Sequence, residues 1–147
     1  SRRSLQAFTA TAVTEIMTEL ERAGLSVAPS TSTKALVVDG GLSLAIYVVR
    51  CRQLRNRAPE WIIQSRTGIE ADEIVAIRMN QENRVVLDYF LLPVRAMHKH
   101  RISLSIPPCL PYRLASRAEL VLAIKLHSEQ AKQAASPAHQ EGKAVAG

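Results

Sequence analysis

No apolar run in this chain is long enough to cross a bilayer. The longest, such as Leu42 to Val49, fall far short of the roughly 20 residues a spanning helix needs, so no membrane partner is expected. The opening Ser1-Arg2-Arg3-Ser4-Leu5-Gln6 is followed by no apolar stretch of the secretory type. Cysteine is nearly absent. Cys51 and Cys109 form no CxxC pair and no cluster with histidine, so zinc has no ligand set here. Two such thiols in a basic domain are expected to stay reduced, as in the cytoplasm. Neither GxGxxG nor GxxxxGK(S/T) occurs, which removes the dinucleotide and P-loop cradles. No Ser or Cys stands in a nucleophile motif. A complete catalytic set is therefore missing.

What remains has the composition of one globular domain. The chain has 147 residues, 47% of them hydrophobic and 22% charged, enough to bury a single core. The formal net charge is +6, and the 19 basic residues divide into fourteen Arg and five Lys. Guanidinium is a planar fork that suits phosphate, whereas ammonium is a point charge. The balance favours nucleic acid or another acidic surface as partner.

Val13, Ile16, Met17 and Leu20 repeat at helical spacing. Thr9 or Thr11 is expected to cap that helix, with Gly24 as its left-handed terminator. Ala28 to Thr33 reads as a loop. Lys34 to Asp39 and Leu42 to Arg52 read as two strands of a hairpin joined through Asp39-Gly40-Gly41. The second is apolar on both faces and belongs in the middle of a covered sheet. Further strands are expected at Trp61 to Arg66, Ile74 to Met79, Val85 to Leu92 and Ile102 to Ile106, with a polar turn at Asn80 to Asn83. Ser116 and Glu119 match a capping box before a helix with Leu120, Val121, Ile124 and Ala131 on one side. The expected fold class is α/β, a mixed sheet of five or six strands with an N-terminal and a C-terminal helix. One domain is expected over residues 1–133, with a disordered tail over 134–147.

The densest feature is Arg50-Cys51-Arg52-Gln53-Leu54-Arg55-Asn56-Arg57. Arg50 and Arg52 share a face if the strand continues, and Arg66 is placed to join them. Guanidinium groups on a rigid sheet edge can hold a duplex backbone without reading bases. The alternative is a solvated loop that only confers solubility. Trp61 could stack on a base but is expected in the core. His98-Lys99-His100 has no third ligand and reads as a surface loop, not a metal site. Asp39, Glu60, Asp72, Glu73 and Asp88 are the acids available for metal-assisted hydrolysis, if they converge.

Ala23-Gly24-Leu25-Ser26-Val27, Ile46-Tyr47-Val48-Val49-Arg50, Asp72-Glu73-Ile74-Val75-Ala76-Ile77 and Leu87-Asp88-Tyr89-Phe90-Leu91-Leu92-Pro93-Val94 follow one another across Thr9 to Ile106. In that order they resemble the PD-(D/E)XK superfamily of restriction endonuclease-like nucleases. The resemblance implies an acid on Val48 and a Lys on Arg50, and an earlier metal-binding Asp near Lys34, with Asp39 several residues late. Val48 binds no metal, and Arg stays charged where a catalytic Lys tunes its proton. The implied function is a non-catalytic DNA-binding or DNA-processing domain with a broken site. It would hold duplex DNA through Arg50, Arg52, Arg55, Arg57 and Arg66 and need no cofactor. The alternative is an active nuclease with a migrated acid, Asp39 or Asp72, acting with Arg50 and Mg²⁺. A third reading is a protein-interaction module or homo-oligomer using Leu54, Tyr89 and the apolar strand faces.

Overall fold

The computed structural model describes residues 2–30 and 35–135. Helix α1 covers Arg2–Arg22. Gly24, at φ 89°, ends it: the Gly24 N–H donates to Glu21 O and the Leu25 N–H to Leu20 O, both at 3.0 Å. This is the Schellman closure that a glycine at this place allows. The helix starts further upstream than expected. Thr9 and Thr11 do not cap it but lie inside it, donating to the carbonyls of Leu5 (2.8 Å) and Ala7 (3.0 Å). A hydroxyl satisfied four residues back has no need of a helix end.

In chain order the strands among the described residues are β1 (Val27–Pro29), β2 (Ala35–Val38), β3 (Leu42–Val49) and β4 (Ile62–Gln64). Then come β5 (Glu73–Met79), β6 (Val86–Pro93), β7 (Arg101–Ser103) and β8 (Arg113–Leu114). A six-stranded sheet has the order β1-β2-β3-β5-β6-β8. All its pairings are antiparallel except β3 with β5, which run parallel. Helix α2 covers Arg117–Ala135. Ser116 Oγ accepts from the Glu119 N–H at 3.2 Å, and the Glu119 carboxylate accepts from the Ala115 N–H at 2.6 Å. This is the expected capping box with its return bond one residue early.

Several expected boundaries change. Ala28 and Pro29, expected in a loop, pair with β2 as an edge strand, the one place in a sheet where proline's missing donor is harmless. The expected strand Leu42 to Arg52 ends at Val49. The strands expected at Trp61 to Arg66 and Ile102 to Ile106 shorten to β4 and β7 and leave the main sheet, pairing with each other instead. Arg66 therefore lies in the loop beyond β4. Helix α2 passes residue 133 and runs to Ala135, while Thr31 to Lys34 and the rest of the expected tail lie outside the described residues.

Strand alternation divides the core into two layers. Leu42, Leu44 and Ile46 of β3, Val75 and Ile77 of β5, and Tyr89 and Leu91 of β6 face α1 and α2. Val49, Ile74, Ala76, Phe90 and Leu92 face the other way, onto Trp61 and Ile63 of the β4 arm and Ile102 and Leu104 of the β7 arm. The sheet is covered on both sides, as the two-sided pattern of β3 requires. Trp61 is buried in the second layer, its indole N–H donating to Met79 O at 2.7 Å. Tyr89 is buried too, so it offers no apolar face to a partner. No helix of the described residues is long and apolar enough to cross a membrane.

Candidate nucleic-acid interface

Because β3 and β5 run parallel, their carboxyl ends stand side by side, and the chain leaves both on the same edge of the sheet. In open sheets with parallel strands this is the edge where ligands bind. Arg50 is the first residue past β3. Asn83, in the turn after β5, fixes the next one: its side-chain Oδ1 accepts from the Cys51 N–H at 2.6 Å and its Nδ2 donates to Cys51 O at 3.1 Å. That turn also carries Arg84. Arg50, Asn83 and Arg84 line a groove of about 210 Å³ whose floor is Leu5, Phe8, Val48 and Met79.

The segment after Cys51 is a closed loop. Arg52 N–H donates to Glu60 O at 2.8 Å and Glu60 N–H to Arg52 O at 2.9 Å, shutting the neck. Inside it, the Arg57 N–H donates to Leu54 O at 3.2 Å and Gln53 Nε2 to Arg57 O at 2.7 Å. Asn56 turns the chain at φ 62°, a conformation asparagine tolerates. Arg52, Arg55 and Arg57 are thus displayed on a backbone already held by its own hydrogen bonds. Arg50, Arg52, Arg55, Arg57 and Arg66 are all exposed, and none forms an ion pair with a described carboxylate.

Other arginines are structural. Arg78 forks onto Asp88 at 2.7 and 2.5 Å, and Arg113 Nε donates to the same carboxylate at 2.7 Å. Arg117 bridges α2 to Glu15 and Glu19 of α1 at 2.9 and 3.5 Å. Among the described residues the exposed arginines without an ion pair include those of the sheet edge and the loops beyond it, together with Arg22 and Arg95 elsewhere.

Asp39, Asp72 and Glu73 gather elsewhere. Asp39 forms the β2–β3 turn with φ 50°, accepting from the Ser26 N–H at 2.8 Å and pairing with Lys132 of α2 at 2.7 Å. The Lys132 ammonium, then the Ser26 N–H, hold its carboxyl below the usual carboxylate range. Asp72 precedes β5 and accepts from Ser43 N–H at 2.9 Å and Ser43 Oγ at 3.2 Å. Glu73 pairs with His127 at 2.8 Å. Asp39 and Asp72 thus stand at the amino ends of β3 and β5. With β3 eight residues long, Arg50 lies about 25 Å from them at roughly 3.3 Å per residue. Asp88 is buried under two arginines, and Glu60 sits at the loop neck. Among the described residues no group of three His, Cys, Asp or Glu side chains could hold a metal ion.

Arg50 directly precedes, and Arg52, Arg55 and Arg57 lie on, one closed loop beyond β3, with Arg66 separated from it along β4. Arg84 and Asn83 were not legible as part of this edge. Only the parallel pairing of β3 with β5 puts their turn beside Arg50, and parallel neighbours leave no local signature in the chain.

No protein-family model matches the chain, and no curated protein matches it. Its fold is similar to that of a bacterial homing endonuclease, I-Ssp6803I, in a solved structure with a TM-score of 0.53 at 16% identity. The likeness covers 88% of this chain and 96% of that one. The fold class is thus mixed α/β, similar to that nuclease in architecture at low sequence identity.

Proposed function

We propose that this chain is a non-catalytic DNA-binding domain, a degenerate member of the PD-(D/E)XK type that grips duplex DNA at the carboxyl edge of β3 and β5. The carrying observation is the segregation of charge. Arg50, Arg52, Arg55 and Arg57 are exposed and unpaired at one end of β3, while Asp39 and Asp72 are engaged at the other. Guanidiniums held on a closed loop can meet phosphates with little ordering cost. The position that the superfamily fills with a metal-binding acid is Val48, which here forms part of an apolar groove floor. The homing endonuclease with the similar fold acts on DNA, which agrees with this partner. Two free cysteines fit a reducing compartment, the cytoplasm.

The test is a salt titration of duplex affinity by fluorescence anisotropy. Each neutralised phosphate contributes about 0.9 to the slope of log K against log salt, so replacing all four arginines by Ala should flatten it by up to about 3.6. An unchanged slope removes the loop from the interface. Plasmid cleavage with Mg²⁺ or Mn²⁺, lost on Asp39→Ala or Asp72→Ala, would overturn the non-catalytic reading.

A further inference from the structure

The β4–β7 ribbon has a second basic end. Beyond β7's start, His98 and Arg101 close a two-residue turn: His98 N–H donates to Arg101 O at 2.9 Å and Arg101 N–H to His98 O at 3.0 Å. Its central residues are Lys99 at φ 51° and His100 at φ 64°. A turn with both central residues left-handed is built best from Asn-Gly, because a Cβ is disfavoured there. The chain's other non-glycine residues at positive φ are Asp39, Asn56 and Asn83 among those described, the types that tolerate it. Histidine belongs with asparagine and aspartate among the types that tolerate this region, so it is Lys99 that occupies the tip against the local preference. Strain of this kind collects where side chains have work to do.

The tip is fixed on its scaffold. Ser65 N–H donates to His100 O at 2.9 Å, and Gln64 pairs with Arg101 in the ladder. Ile63 and Ile102, directly opposite each other, are buried in the second core layer, so the alternation turns Gln64 and Arg101 outward. Arg66, Lys99 and Arg101 are exposed, and no described carboxylate pairs with them. The other end of the ribbon is the neck Arg52–Glu60, five residues back from Ser65, or about 17 Å along an extended strand. The major groove of B-DNA is about 12 Å wide, and Arg and Lys side chains cover the difference.

We propose that Arg66, Lys99 and Arg101 form a second phosphate contact, so that the ribbon straddles a duplex groove with this tip on one backbone and the Arg52–Arg57 loop on the other. The inference rests on the DNA-binding reading above and names how that surface engages its partner.

Two variants test it against a 30-base-pair duplex. Arg66→Gln with Lys99→Gln and Arg101→Gln should lower the salt slope by about 2.7, the share of three contacts. Lys99→Asn with His100→Gly should raise the melting temperature by about 2 to 4 °C, since the turn relaxes, yet bind about fivefold more weakly at physiological salt. A parent that binds the duplex while both variants bind it equally well overturns the tip contact and leaves the Arg50 to Arg57 interface standing. A parent that does not bind the duplex at any salt overturns both. A less stable Asn-Gly variant overturns the strain argument on which the tip was singled out.

Discussion

Asp88 is the acid whose replacement should be felt most, and for structural reasons. It stands directly opposite Arg78 across β5 and β6, next to the register shift at Arg78/Met79. Its side chain is fully buried, and that of Arg78 is 14% exposed. The Arg78 guanidinium also lies over two aromatic rings, 4.9 Å from the centre of Trp61 and 5.1 Å from that of Phe90. Asp88→Ala would leave this cation with its ring contacts but no anion beside it. Stranding a buried charge costs about 3 to 5 kcal/mol. The two ring contacts are made with or without Asp88, so they do not replace the lost anion. Arg113 is 43% exposed and can turn to water, so its lost bond adds little. Urea denaturation should show the midpoint falling with an unchanged m-value. The double variant Arg78→Met with Asp88→Ala removes the stranded charge and should recover most of the loss, giving a coupling of about 2 kcal/mol or more. If Asp88→Ala costs under 1 kcal/mol, or the double variant is less stable than the sum of the singles, the buried pair is not what organises this layer.

Two further predictions concern the ends of β3. Cys51 lies between Arg50 and Arg52, whereas Cys109 is buried, donates to Ser103 O at 3.4 Å and has its thiol pKa pushed up by that burial. Iodoacetamide should therefore alkylate Cys51 in the native protein and Cys109 only on unfolding, and saturating duplex should protect Cys51; equal labelling with and without DNA would place the interface elsewhere. At the opposite end, Asp39 has a carboxyl held below its ordinary value by Lys132. A depressed folded pKa gives stability that is present above the unfolded value and is lost as pH falls through the folded one. Asp39→Asn should accordingly be less stable near neutrality and show a shallower loss of stability below about pH 4, where aspartate protonates in unfolded chains.

The core was legible because it is a matter of period. Leu42, Leu44 and Ile46 against Tyr47 and Val49 could be assigned to two faces from alternation alone, and the central place of β3 followed. Gly24 and the Ser116–Glu119 box announced themselves because caps are local chemistry. What failed was non-local or undecided by pattern. Trp61 to Arg66 has the composition of a strand, but nothing in it tells which sheet it joins. Ala28 and Pro29 looked like a loop because proline is judged by residue type, and only an edge position makes it harmless. Thr9 and Thr11 misled because a threonine hydroxyl serves equally at a cap or bonded back within a turn. At the site, the Arg50 to Arg57 cluster was visible as composition, whereas its partners Asn83 and Arg84 depended on the parallel register.

The same topology sorts the engaged acids Asp39, Asp72 and Glu73 from the exposed arginines, with only Glu60 at the loop neck and Glu82 in the turn after β5 as acids on the arginine side among the described residues. A parallel pair sends both strands out at one end and brings both in at the other. Here the incoming end is occupied by structural work: Asp39 ties the β2–β3 turn to α2 through Lys132, Asp72 ties β5 to Ser43, and Glu73 holds His127. Each acid there has a partner that positions a chain segment. At the outgoing end the side chains that position the backbone are amides, Asn83 on Cys51 and Gln53 on Arg57. Amides do that task without charge. They add no negative charge of their own beside Arg50, Arg52, Arg55, Arg57 and Arg84, and screening in salt of physiological strength acts over about 8 Å. Asn83→Asp tests this division of labour. An aspartate would still accept from the Cys51 N–H but would put a negative charge beside Arg50 and Arg84, so duplex affinity should fall well beyond the change in stability. Affinity that simply tracks stability would mean that the neutrality of the Asn83 side chain has no part in binding.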